Sequence, residues 1–125
     1  LAAPANATNY YLSFAQEFTT VDTQQNTVLV GIAGTVTKFC AQTYVNGTLG
    51  SNEDVTFSLR KNNATESTET GTQKWDVAAT TGFCVTLTTA FTVAANDRLA
   101  IHILTPTWIT NPANVFAQGV AFVRP

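Results

Sequence analysis

Methionine is absent from this chain, histidine occurs once, cysteine twice, and charged residues fill only 11% of its 125 positions, less than half of the roughly 25% usual in soluble proteins. Each shortage closes something off. The six basic residues, Lys38, Arg60, Lys61, Lys74, Arg98 and Arg124, are scattered apart from one adjacent pair, and the formal net charge is −2. Without a basic stripe to displace phosphate counterions, no nucleic-acid partner is expected. No apolar run approaches the roughly 20 residues that span a bilayer as a helix, so membrane insertion is not expected either. His102 shares no local pattern with a second metal-type ligand or a nucleophile. It reads as a residue on the less buried face of a strand; no metal, cofactor or catalytic base is expected. The chain starts at Leu1 with no methionine, and is expected to be a processed or truncated piece, with any leader or upstream shaft out of view.

What is present is an ordinary hydrophobic fraction, 45%, in a chain the size of one domain that can bury a real core. The polar surface must then be neutral. Thr86-Leu87-Thr88-Thr89 and Thr19-Thr20 place short hydroxyls where Lys and Glu would otherwise stand. Such Thr- and Asn-rich surfaces are common on secreted and virion proteins, and an extracellular or virion-surface location is the expectation.

Along the chain, residues 1–8 read as an N-terminal arm or linker and residues 9–125 as a single β-sandwich domain. Val55, Phe57 and Leu59 alternate with Thr56, Ser58 and Arg60, the period-two pattern of a half-buried strand, and Asn62-Asn63 ends it with residues that tolerate positive φ. Strands are expected over Asn9 to Phe18, with Tyr10, Leu12 and Phe14 on one face, over Thr27 to Ile32, and over Val36 to Val45, where Phe39, Ala41 and Thr43 oppose Lys38, Cys40 and Gln42. Asn46-Gly47 turns the chain. Lys61 to Gln73 is a polar surface loop, enclosing at most an edge strand near Thr65 to Thr70, and Trp75 to Ala79 is a further short strand. Gly82 to Val93, Arg98 to Leu104 and Val115 to Val123 complete the set. In Arg98 to Leu104, Leu99, Ile101 and Ile103 face in. About eight strands with closely spaced turns predict an all-β fold, an antiparallel sandwich of jelly-roll type.

The candidate chemistry is thin. Glu53 and Asp54 are adjacent, so on a strand they point to opposite faces and cannot form an acid/base pair. Glu66 and Glu69 fall in the polar loop and read as solvated. Cys40 and Cys84 each lie on the polar parity of their strand; if the strands are neighbours both sulfurs point one way, as a disulfide needs, the alternative being two buried thiols. Asn6-Ala7-Thr8, Asn46-Gly47-Thr48 and Asn63-Ala64-Thr65 are N-glycosylation acceptor tripeptides in loops or the arm, or matches produced by an Asn- and Thr-rich composition. Trp75, Trp108 and Tyr44 lie near strand ends or in loops, where they either stack on a sugar or plug the sandwich ends or a subunit interface.

Three segments resemble a known family. Val55-Thr56-Phe57-Ser58-Leu59-Arg60-Lys61-Asn62-Asn63-Ala64-Thr65, Phe91-Thr92-Val93-Ala94-Ala95-Asn96-Asp97-Arg98-Leu99 and Gly34-Thr35-Val36-Thr37-Lys38-Phe39 are similar to strand-and-turn segments of the C-terminal jelly-roll head domains of phage and viral fibres and of bacterial collagen-like surface proteins. Where that pattern has two glycines this chain has Asn63 and Asn96, the residue that best replaces glycine at positive φ. The resemblance implies a jelly roll, usually trimeric, at the exposed end of a fibre, serving attachment or assembly. A trimer would use the second apolar face of Val120 to Val123, with Ala121 and Val123 opposite Val120 and Phe122.

The expectation is therefore a non-enzymatic structural or attachment domain of a surface fibre, self-assembling and with a host-surface glycan as the possible ligand. Two alternatives stay open. One is a filament or pilus subunit whose arm, Leu1 to Phe18, adds as a strand to the next subunit. The other is a carbohydrate-binding module of a secreted enzyme.

Overall fold

The computed structural model describes residues 3–12, 20 and 28–125. Its strands are β1 (Asn9–Leu12), β2 (Val28–Leu29), β3 (Gly34–Asn46), β4 (Asp54–Lys61), β5 (Thr65–Glu66), β6 (Gly71–Lys74), β7 (Thr81–Val93), β8 (Arg98–Leu104) and β9 (Asn114–Arg124). β4 and β8 pair antiparallel at the centre of one sheet. β1 and β2 share the far edge of β8, and β5 and β6 share the far edge of β4. The second sheet has the order β7-β3-β9. The chain crosses between sheets at β2–β3, β3–β4, β6–β7, β7–β8 and β8–β9, giving the wrapped sandwich that the turn spacing and alternation predict.

Alternation decides what lies between the sheets. Val55, Phe57 and Leu59 from β4 and Leu99, Ile101 and Ile103 from β8 are buried against Val36, Phe39 and Ala41 of β3, Phe91 of β7 and Val115 of β9. Each of these Val, Leu, Ile and Phe side chains contributes about 1.5–3 kcal/mol by leaving water. Gly119 of β9 lets the sheets close up: a Cβ there would sit 2.9 Å from Ile101 Cγ1.

Val36 and Phe39 are both fully buried, although strict alternation would put them on opposite faces. The register explains this. Val36 stands opposite Val123 and Lys38 opposite Phe122, so Thr37 is the extra residue of a bulge that resets the parity of β3. Against β7 the same point is looser, since Val36 pairs with Phe91 and Lys38 with Thr86. Residues 87–90 are thereby left without ladder partners on β3. The Glu69 carboxylate fills that gap, accepting the N–H groups of Thr88 and Thr89 at 2.9 and 2.6 Å and the Thr88 hydroxyl. These donors hold its pKa down to about 2. The expectation of a merely solvated Glu69 is thus corrected.

Two strand placements also differ from expectation. The strand lies at Gly71–Lys74, taking up the last three residues of the expected loop and Lys74 beyond it, and pairs with Asp54–Phe57 of β4; residues 75–79 are not strand. A four-residue polar edge strand has no hydrophobic alternation to reveal it, and only the open ladder of β4 defines it. At the N-terminus β1 ends at Leu12, while residues 13–18, with the predicted inward Phe14, lie outside the described residues.

The turns use asparagine as anticipated. Asn62, Asn63 and Asn96 have φ of 52°, 59° and 73°, and Ala64 N–H closes the first turn onto Lys61 C=O at 3.0 Å. The two turns are latched together: Asn62 Nδ2 donates to Asp97 Oδ1 at 2.8 Å and Asn62 Oδ1 accepts from Arg98 N–H at 2.8 Å. At the opposite end residues 3–8 run beside the 105–113 loop. Asn6 Oδ1 accepts Trp108 N–H at 3.1 Å, Asn111 Nδ2 donates to Pro4 C=O at 2.8 Å, and Pro4 is buried.

Candidate interaction face

The alternation that sends Phe39, Ala41 and Thr43 of β3 inward turns Lys38, Cys40, Gln42 and Tyr44 outward. On β7 it turns out Gly82, Cys84 and Thr86. On β9, Ala117, Ala121 and Val123 pack against the core, while Phe116, Val120 and Phe122 stand 58%, 45% and 49% exposed. The face proposed from sequence, Ala121 and Val123, is therefore the inner one. Both faces of β9 are apolar, so hydrophobicity could not choose between them; the narrow space opposite Ile101 takes the small set and leaves the phenyl rings outside.

Register arranges this outer face in rungs. Tyr44 stands opposite Phe116, Gln42 opposite Gln118, Cys40 between Cys84 and Val120, and Lys38 opposite Phe122. Gln118 Nε2 donates to Gln42 Oε1 at 2.6 Å. Cys40 and Cys84 form a disulfide with a Cα–Cα distance of 4.0 Å, so the shared parity does bring the two sulfurs together on the outside of the sheet. The strands β3, β7 and β9, of 13, 13 and 11 residues, carry no acidic side chain and two basic ones, Lys38 and Arg124. An open cleft of about 530 Å³ lies over the disulfide, and another of about 330 Å³ lies beside Tyr44, Thr80 and Phe116.

Of the aromatics considered for sugar stacking, Trp75 and Trp108 are 1% and 5% exposed. They stack on each other with centroids 5.9 Å apart and plug one end of the sandwich. Neither offers a ring face to a sugar. Of the two readings open in the sequence, the plug at the end of the sandwich is the one found for these two residues. Tyr44 remains accessible on the outer face. Asn6 and Asn46 are exposed, and Asn63 is half-buried in its turn, its C=O accepting from Arg60 Nη2 at 2.7 Å.

Sequence reasoning missed one constellation, on the outer face of the other sheet. His102 Nδ1 lies 3.0 Å from Glu66 Oε1 and 3.3 Å from Ser58 Oγ, and its Nε2 lies 2.9 Å from Asn9 Oδ1. Arg60 Nη1 is 2.7 Å from Glu66 Oε1, Ser58 Oγ also donates to Glu66, and the Tyr11 ring stacks on His102 at 5.1 Å. Burial pushes the Glu66 carboxyl up, but the bonds from His102, Ser58 and Arg60 outweigh it and hold it below its ordinary range. Glu66 is thus not simply solvated. Serine, histidine and carboxylate meet here without the order of a nucleophilic relay, because hydroxyl and carboxylate approach the same ring nitrogen. What the cluster does is tie β1, β4, β5 and β8 together. The only signal for it was the outward parity of Ser58 and His102, which needed the strand register to become a contact. Among the described residues no three His, Cys, Asp or Glu side chains are placed to hold a metal ion.

Comparison with protein-family models, with curated proteins and with solved structures gives no match.

Proposed function

We propose that this chain is a non-enzymatic structural and attachment domain of an extracellular or virion surface fibre, and that it self-assembles as a homotrimer through the outer face of β7-β3-β9. The observation that carries the reading is the uncharged middle of that face, with Phe116, Val120 and Phe122 in solvent. In a cyclic assembly like charges near the axis are brought close to one another, so a face packed about that axis is best neutral. Phe116 at one end and Val120 with Phe122 at the other, separated by Gln118, expose apolar side chains on one face, and apolar patches on the order of a few hundred Å² are characteristic of interaction surfaces. The resemblance to fibre head domains supports the same reading, and the Cys40–Cys84 disulfide favours an oxidising compartment. For a host-surface glycan, Tyr44 is the aromatic of the three that keeps an accessible ring. The filament alternative would require β1 to leave β8, with which it pairs over Asn9–Leu12 in its own chain.

Light scattering at two protein concentrations tests this. A closed trimer is expected, with Phe122→Glu giving a folded monomer. A wild-type monomer at both concentrations would overturn the reading, and open-ended growth would replace it with strand donation from the arm.

A further inference from the structure

We propose that the cleft over the Cys40–Cys84 disulfide receives Phe116 of a second copy of this chain. This rests on the self-assembly reading and specifies how the contact is made. The cleft, about 530 Å³, is lined by Cys40, Cys84, Gly82 and Val120 and flanked by Gln42 and Gln118. A Cβ at Gly82 would meet no atom nearer than 3.8 Å, so the fold does not require glycine there, and a bulky side chain at this lining position would take up part of the cleft. The disulfide forms the floor; neither cysteine belongs to the buried core, and its polarizable sulfurs suit an aromatic ring.

Phe116 is the most exposed aromatic on the face, at 58%. It stands two residues from Gln118, which flanks the cleft, yet its ring lies in solvent and does not line its own cleft. Phe116 thus leaves the cleft of its own chain open to the ring of another molecule. Several points select a second copy. The three strands carry no acidic side chain and only Lys38 and Arg124 as bases, so a basic partner finds no complement, and the cleft lining holds no charge, so an identical face meets no repulsion there. Three strands at roughly 4.8 Å spacing and eleven residues at roughly 3.3 Å rise project to ~500 Å². Two such faces together cover about 1,000 Å², the lower bound for a specific interface. Because ring and cleft occupy different places on one face, each copy can give a ring to one neighbour and accept one from another, which closes a ring of subunits.

The test compares native mass and thermal melting for wild type, Gly82→Leu and Phe116→Ser. The expected result is a threefold fall in mass for both variants with the melting of the single domain retained. If the wild type assembles and either variant keeps the wild-type mass, the docking is wrong while self-assembly stands. A wild-type monomer sinks both. Reduction of the disulfide by dithiothreitol provides a readout independent of Gly82→Leu folding: it should run several-fold slower in wild type than in Phe116→Ser, and equal rates would overturn the docking.

Discussion

Asn96 and Asn63 hold left-handed backbone conformations, φ 73° and 59°, that most side chains avoid. An alanine there would face a cost of roughly 1–2 kcal/mol, whereas glycine meets none. Urea denaturation should show Asn96→Ala less stable by about that amount and Asn96→Gly close to wild type; an unchanged midpoint for Asn96→Ala would mean the turn relaxes. These positions were legible because asparagine next to a strand pattern has few other uses. Glu66, His102 and Ser58 were not legible: Ser58 and His102 lie 44 positions apart in sequence, and no local pattern records that β4 and β8 put them on the same rung.

At the scale of the strand, the bulge at Thr37 and the gap in the β3–β7 ladder couple the core to a surface carboxylate. Glu69 has a folded pKa of about 2 against its ordinary 4.5, because Thr88 and Thr89 donate to the ionised form. A depressed folded pKa means the stabilisation is fully present above about 4.5 and is lost as pH falls towards 2. Melting temperatures measured from pH 5 down to pH 2 should fall less steeply in Glu69→Gln than in wild type. Parallel curves would show that Glu69 does not control this bulge. β6 belongs to the same lesson, since its four residues are strand only because β4 offers a free edge to them.

At the scale of the molecule, the two sheets differ in character. The charged network of Arg60, Glu66 and His102 lies on one outer face, and the neutral stripe of Phe116, Val120 and Phe122 lies on the other. An assembly formed through the neutral stripe gains little from charge attraction, so its mass should be unchanged between 0.05 and 0.5 M salt, on the order of a threefold change in Debye length. Dissociation at high salt would point instead to the charged face as the contact.

The amino-acid sequence by itself determined the all-β class, the inward sets of β4 and β8 and of β3 beyond its bulge, the asparagine turns and the shared parity of Cys40 and Cys84. A period of two encodes side-chain direction locally, and each of these depends on neighbours within a few residues. Only the tertiary structure decided which apolar face of β9 is buried, that Trp75 and Trp108 plug an end, that Gly71–Lys74 is a strand, and that Glu66 meets His102. Those outcomes depend on which strand lies alongside which and on how much room the facing sheet leaves, and pairing between distant segments has no local sequence record.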